Sequence, residues 1–363
     1  MRMIKLLITL CFYTFLTGCA FVTSFNEDPD PWNPPVNSKP TVVKSVSTEP
    51  LSDEQIEAMV TSPDFTGFAR KALLENGQRA QTATFKENVR IIIAGDSWAF
   101  FDVIYGATES KLKSINPAFN IEYLDYTTEN EDTAFPHLLA IPGSKASQWQ
   151  DNRNSQMIIN ALIRNRDASV LVVFLGGNDW IDTYKCYDNE GNKKRFNKIG
   201  KDIASMFSNI QEKVFKASPR RKLDIILVGY SKLNFVDSLD FNDNESRVEK
   251  FGFVKGKCKD GTKNPTRQIN NGLAQLRDIS KQHVLALNKP DEKPTVHFIN
   301  NFDIFGKNIN KPTHKDHMLY SYFKIDGIYK KYIFLDSIHL GKKAQHKVAE
   351  KIMEYILKNN LLE

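Results

Sequence analysis

The chain has 363 residues, with 49 lysines and arginines against 43 aspartates and glutamates, so its formal net charge is +6. A hydrophobic share of 41% and a charged share of 25% are typical of a soluble globular protein. The sequence contains no dense block of basic residues, which argues against nucleic-acid binding, since that function needs a concentrated basic face. The length allows one large α/β domain or two ordinary ones.

The N-terminus has the pattern of a bacterial lipoprotein signal peptide. Arg2 and Lys5 precede an uncharged apolar run, residues 6–16, that is too short to span a bilayer as a mature helix. The run ends in Leu-Thr-Gly-Cys at residues 16–19, which resembles a lipobox. The resemblance implies that residues 1–18 are removed and that Cys19 is lipidated. The alternatives are an ordinary signal peptide with an incidental cysteine and a buried first strand.

The predicted location follows from this segment. No other apolar stretch approaches the ~18 residues that a membrane-spanning helix needs, so we expect the lipid to provide the membrane attachment. Ala20, rather than aspartate, follows the cysteine, which resembles the outer-membrane sorting pattern of enterobacterial lipoproteins. We therefore expect an exported protein anchored to a bacterial membrane, the outer membrane in preference to the inner one, and facing the periplasm or the cell surface.

Two cysteines remain in the region predicted to fold, Cys186 and Cys258. An even pair in an exported protein predicts a disulfide, which would contribute about 4 kcal/mol in the chain-entropy model. Two unpaired thiols are the alternative. Neither cysteine lies in a C-x-x-C pair, and His314 and His317 lack a third ligand, so the sequence predicts no metal site and no cofactor.

The composition changes along the chain and suggests four segments. After the signal peptide, residues 19–50 are rich in proline and form a predicted tether that cannot fold alone. A capping box at residues 52–55 begins a predicted N-terminal helical segment, residues 51–87. Residues 88–363 form the main domain, with inserted loops at about 181–222 and 231–266 that are predicted to act as lid or specificity loops.

Short aliphatic runs alternate with helical patterns in this domain, which predicts a parallel sheet with helical crossovers. The predicted strands are 89–94, 170–175, 223–228, 296–299 and a weaker candidate at 121–126. The predicted helices are 155–164, 199–215, 268–287 and 342–358.

Four polar segments fall where the carboxyl ends of such strands would gather, which is where parallel sheets place their reactive groups. These segments are Gly-Asp-Ser-Trp at 95–98, Gly143 after a proline, Gly-Gly-Asn-Asp at 176–179 and Asp-Ser-Ile-His at 336–339.

Their residue types predict nucleophilic catalysis. The hydroxyl of Ser97 needs an adjacent base, for which His339 is the candidate, and Asp336 can orient the imidazole. The attacked carbonyl becomes an oxyanion that needs fixed donors. The backbone N–H groups of Ser97 and Gly143 and the side-chain amide of Asn178 are the candidates. Activity should fall in acid as His339 protonates, because a charged imidazole cannot accept the serine proton.

The four segments, in this order, resemble the SGNH (GDSL) hydrolase family, whose serine, glycine, asparagine and histidine fall here on Ser97, Gly143, Asn178 and His339. The resemblance extends from about residue 88 to the end. It implies a flavodoxin-like three-layer α/β/α sandwich with a central parallel sheet of about five strands, and ester or acyl-transfer chemistry without a metal. Trp98 replaces the usual leucine, and the segment around Gly143 lacks an asparagine often found before it.

We therefore expect a serine esterase that forms an acyl-enzyme on Ser97, with an O-acetylated glycan or a lipid ester as substrate. An O-acyltransferase acting on a glycan and a non-catalytic lipoprotein that binds a glycan or a protein are the alternatives. Trp98, Trp149 and Trp180 lie beside the motif segments. They are either packing residues or an aromatic rim for the substrate.

Overall fold

The computed structural model describes residues 86–125, 137–150, 153–219, 221–233, 251–254, 257–262, 265–307, 321–325, 328–332 and 339–362. The signal peptide with Cys19, the proline-rich tether and the N-terminal helical segment lie outside these residues. So do Asp336, His314 and His317. The predictions made for them remain predictions.

The described chain alternates strands and helices. The strands are β1 (Val89–Gly95), β2 (Asn120–Glu122), β3 (Leu124–Asp125), β4 (His137–Leu138), β5 (Val170–Phe174), β6 (Asp224–Val228), β7 (Phe253–Val254), β8 (Lys257–Cys258), β9 (Val296–Ile299), β10 (Ser321–Ile325) and β11 (Ile328–Tyr332). The α-helices are α1 (Ser97–Tyr105), α2 (Ala107–Ile115), α3 (Arg153–Arg164), α4 (Gly177–Thr183), α5 (Asn189–Ala217), α6 (Pro265–Leu285) and α7 (Lys342–Lys358).

Five strands form the central sheet in the order β2-β1-β5-β6-β9, and every neighbouring pair is parallel. This is the strand order of flavodoxin-like folds, in which the first strand lies inside the sheet. The side chains of β5 and β6 are buried on both faces, which explains why these strands are continuous aliphatic runs rather than alternating ones. The predicted fold class is confirmed.

The helices pack in two groups. Helix α7 contacts α1 and α2, while α5 contacts α3 and α6. Right-handed crossovers between parallel strands place helices on both faces of a sheet, so the two groups account for the outer layers of the sandwich. Within the described part of the chain, no helix is long and apolar enough to cross a membrane.

Two predicted elements differ from those observed. The predicted strand 121–126 is divided, because the Glu122 carboxylate accepts the N–H groups of Tyr123 (2.9 Å) and Leu124 (3.1 Å), which bends the chain away from the sheet. The predicted helix 199–215 begins earlier, at Asn189, because the Asp188 side chain caps it by accepting the Gly191 N–H.

The predicted disulfide is confirmed. Cys186 and Cys258 are bonded, with their Cα atoms 5.9 Å apart and a sequence separation of 72. The bond joins the connection between α4 and α5 to strand β8. The Cys186 N–H also donates to the carbonyl oxygen of Phe251 at 2.7 Å, so the chain around β7 and β8 is attached to the connection between α4 and α5 at two points.

Candidate active site

The structure brings Ser97 and His339 together although they are 242 residues apart in sequence. Ser97 is the first residue of α1, directly beyond β1, and His339 lies shortly before α7. The His339 Nε2 atom is 2.6 Å from the Ser97 Oγ atom, and both residues are buried, each 6% exposed. Phe101 packs against the imidazole with ring centroids 4.8 Å apart. A hydroxyl and an imidazole are thus within hydrogen-bond reach, which is the arrangement that an activated serine needs.

The turn between β1 and α1 depends on glycine. Gly95 has a φ of 133°, and a Cβ atom there would lie 1.9 Å from the carbonyl oxygen of Phe174. The neighbouring Asp96 N–H donates to that same oxygen at 2.8 Å. Asp96 then caps α1, since its side chain accepts the Trp98 N–H at 2.9 Å. Ser97 is therefore presented at a helix start, where N–H groups lack intrahelical acceptors.

The segment that carries Gly143 is placed by pairing with the end of β1. The Gly95 N–H donates to the Leu139 carbonyl oxygen at 2.9 Å, and the Ile141 N–H donates to the Gly95 carbonyl oxygen at 2.7 Å. Gly143 follows with a φ of 80°, in the left-handed region that favours glycine. The turn around Gly143 is therefore next to the turn that presents Ser97.

Asn178 and Asp179, in the first turn of α4, hold the segment that follows Gly143. The Asn178 side-chain amide donates to the Ser144 carbonyl oxygen at 3.1 Å, and the Asp179 carboxylate accepts the Ala146 N–H at 2.8 Å. An amide nitrogen carries two hydrogens, so Asn178 retains a second donor for a substrate oxygen. Burial raises the pKa of Asp179 to about 6. The role of Asp179 was not foreseen from the sequence.

Sequence reasoning also missed Tyr230, which connects two of the motif segments. Its hydroxyl donates to the Asp96 carboxylate and accepts the Gly177 N–H at 2.9 Å. Its ring packs edge-on against Trp98 at 5.0 Å, and a Cβ atom on Gly177 would lie 2.7 Å from it. Tyr230 follows β6 by two residues, at the carboxyl edge of the sheet, and that position was the available signal.

Asp96 is the most perturbed acid beside the nucleophile. Its side chain is buried, and this burial raises its pKa to about 7, although the Tyr230 hydroxyl and the Trp98 N–H both stabilise the charged form. The neighbouring imidazole of His339 acts in the same lowering direction. The link through Tyr230 thus joins a titratable group to the loop that carries Asn178.

A small cleft opens beside Ser97. Its lining residues are Asp96, Ser97, Trp98, Gly177, Asn178, Trp180, Ile181, Tyr230, Leu233 and Leu273. Trp98 and Trp180 therefore form part of the cleft wall. Trp149 is fully buried in the core and is not among these lining residues, so the structure makes it a packing residue.

The chain matches no family model and no curated protein. It is similar to the solved structures of the lipase Lip_vut3 from a goat rumen metagenome (12% identity, TM-score 0.40, 73% of this chain and 96% of that chain covered) and of Est24, a carbohydrate acetylesterase from Sinorhizobium meliloti (14%, 0.40, 75% and 99%). It is also similar to the periplasmic domain of a lipopolysaccharide acetyltransferase from Salmonella ser. Paratyphi A (13%, 0.38, 81% and 96%). These likenesses are too distant to carry a functional argument, which rests on the geometry of the site.

Proposed function

We propose that this protein is a serine esterase of the SGNH type that forms an acyl-enzyme on Ser97. The observation that carries the proposal is the 2.6 Å hydrogen bond between Ser97 Oγ and His339 Nε2. It lies at the start of a helix, beside two glycine turns and an open cleft. A buried serine that serves only packing would not need a base, a cleft and glycine turns at one place.

The chemistry follows from these groups. Ser97 Oγ attacks the ester carbonyl carbon while its proton moves to His339 Nε2, and the carbonyl oxygen becomes an oxyanion. The N–H groups of Ser97 and Gly143 and the amide of Asn178 are the proposed donors to this oxyanion. The bond to the alcohol oxygen then breaks, and His339 returns its proton to that oxygen. Water repeats the sequence on the acyl-enzyme, releasing the acid and restoring the Ser97 hydroxyl. Asp336 is the proposed partner that orients His339.

The test is turnover of p-nitrophenyl esters together with labelling by a fluorophosphonate, which reacts with activated serines. We expect the parent protein to be labelled and active, and Ser97→Ala to lose both properties. Ser280→Ala provides the matched control, because Ser280 is equally buried, in α6, and does not line the cleft. A Ser97→Ala variant that hydrolyses esters as fast as the parent would refute the proposal.

Acyl transfer to a glycan hydroxyl would use the same acyl-enzyme, with the hydroxyl taking the place of water. Product analysis with and without an acceptor glycan separates the two activities. A protein that is neither labelled nor active would instead support the non-catalytic binding role.

We also propose that Cys19 carries a lipid that anchors the enzyme to a bacterial membrane, preferably the outer one. The support is the lipobox-like sequence at residues 16–19. In cells supplied with radiolabelled palmitate, the protein should incorporate label, and Cys19→Ser should not. Equal labelling of the two proteins would argue against lipidation at this position.

A further inference from the structure

The cleft beside Ser97 is lined by polar and by apolar residues. Ser97 and Asn178 are among the polar ones. The apolar lining comes from α1, α4, the segment after β6, and α6. These apolar lining residues are Trp98, Trp180, Ile181, Leu233 and Leu273.

The position of His339 indicates which part of a substrate contacts the apolar lining. His339 contacts Ser97 but is not among the residues that line the cleft. In the proposed reaction His339 must return its proton to the departing alcohol oxygen, so the alcohol lies on the His339 side of the serine. The other part of the ester, the acyl group, therefore lies against the apolar lining.

The apolar walls belong to the packed core. Trp98 and Trp180 are each 1% exposed, and Leu273 is 2% exposed. Behind Trp180 lie the rings of Tyr184 and Phe251, with centroids 5.3 Å and 5.2 Å away. The disulfide and the Cys186 N–H bond hold the segment that carries Phe251 in place.

The other walls are held by hydrogen bonds to α6. Asn270 bonds to both backbone groups of Leu233, accepting its N–H at 2.9 Å and donating to its carbonyl oxygen at 3.3 Å. The Tyr184 hydroxyl donates to the Gln268 carbonyl oxygen at 2.6 Å. A longer chain would have to displace these bonded groups or turn out of the cleft.

The magnitudes favour a short chain. Each methylene transferred from water into an apolar site strengthens binding about fourfold, whereas forcing an extra methylene into a packed core weakens it by about fivefold to 150-fold. A methylene that does not fit the existing space therefore weakens binding in the transition state. A chain that turns out to solvent instead gains nothing from the pocket.

We propose that the apolar lining of the cleft forms an acyl pocket that selects short acyl esters, from acetyl to butyryl, over long-chain lipid esters. This inference rests on the proposed esterase function and adds the substrate class.

The experiment measures kcat/KM for the p-nitrophenyl acetate, butyrate and octanoate esters. We expect the acetate or butyrate to be preferred over the octanoate by about tenfold or more, which is the discrimination that misfitting methylenes produce in hydrophobic pockets. Leu273→Ala removes part of the apolar lining and should raise the octanoate-to-acetate ratio of kcat/KM by about tenfold.

Leu276→Ala is the matched control, because Leu276 lies in the same helix, is 3% exposed and does not line the cleft. Both substitutions remove a buried leucine side chain and cost stability, so urea denaturation should show similar losses while only Leu273→Ala changes the ratio. Because the parent protein is itself tested, the result does not depend on either variant folding.

An octanoate preference in the parent, or the same change of ratio in both variants, would overturn the acyl pocket and leave the esterase proposal standing. Absence of turnover with every ester, together with absence of serine labelling, would refute the esterase function and the pocket with it.

Discussion

Two buried histidines lie near opposite ends of the strands of the central sheet, one near the carboxyl ends and one near the amino ends, and their surroundings differ. At the carboxyl edge, His339 contacts the hydroxyl of Ser97. Near the amino ends of β6 and β9, His297 Nε2 is 2.9 Å from a carboxylate oxygen of Asp224, and its Nδ1 is 3.1 Å from the Tyr355 hydroxyl. Both histidines are largely buried, at 6% and 7% exposed.

The two histidines are similarly buried and differ in their surroundings, so burial alone does not mark a candidate catalytic group. Both ring nitrogens of His297 have partners, a carboxylate and a phenol, and neither partner lines the cleft. At His339 the partner is a hydroxyl at a helix start, adjoined by glycine turns and space for a substrate. We therefore expect His339 to affect the reaction and His297 to affect stability.

The largest effect is expected for His339→Asn. Without the imidazole no group takes the Ser97 proton, so kcat should fall by about 1,000-fold or more, as when members of such triads are removed. Steady-state kinetics with p-nitrophenyl acetate measures this, and circular dichroism checks that the variant is folded. A decrease of less than tenfold would show that His339 is not the base.

Tyr230→Phe should have the next largest effect, a decrease in kcat of about 10- to 100-fold with KM little changed. The ring packing stays, but the Gly177 N–H and the Asp96 carboxylate both lose the hydroxyl, so the serine and Asn178 loops lose their connection. Tyr355→Phe is the control, since it removes one tyrosine hydroxyl from the His297 cluster at the opposite edge. Equal kcat values for the two variants would make Tyr230 a purely structural residue.

The buried carboxyl group of Asp102 offers a test of stability rather than of activity. Burial raises the pKa of Asp102, in α1, to about 7, and its carboxylate accepts a hydrogen bond from Thr108 at 2.9 Å. Because the folded pKa lies above the unfolded value, this group stabilises the fold when protonated, and that contribution is lost as the pH rises toward 7.

Asp102→Asn should therefore flatten the pH dependence of stability. The free energy of unfolding of the variant minus that of the parent should be about 2 kcal/mol larger at pH 8 than at pH 5, which means that the variant gains relative stability at the higher pH. Urea denaturation at the two pH values measures the difference. An identical pH dependence in both proteins would contradict the raised pKa.

His297→Asn should have the smallest effect on activity and a moderate one on stability. We expect kcat/KM within about twofold of the parent and a loss of about 1–2 kcal/mol in the free energy of unfolding, because Asp224 and Tyr355 lose a hydrogen-bonding partner. Kinetics and urea denaturation of the same preparation provide both values. A loss of activity comparable to that of His339→Asn would contradict the expected difference in role between His339 and His297.

The sequence predicted the fold in detail because the fold depends on local patterns. Aliphatic runs that are buried on both faces mark β1, β5, β6 and β9, and the 342–358 prediction matches α7. The predicted bounds were wrong where one side chain redirects the backbone, as Glu122 does at the end of β2, and where a cap lengthens a helix, as Asp188 does before α5.

The sequence by itself determined which residue types the site contains, because Ser97, Gly143, Asn178 and His339 stand in short motifs at the ends of predicted elements. The tertiary structure decided which of these residues touch, that Tyr230 joins two of the loops, and that packed aromatic and aliphatic side chains line the cleft. These contacts join residues far apart in the chain, so they arise only when the parallel strands bring their carboxyl ends together. No motif encodes them.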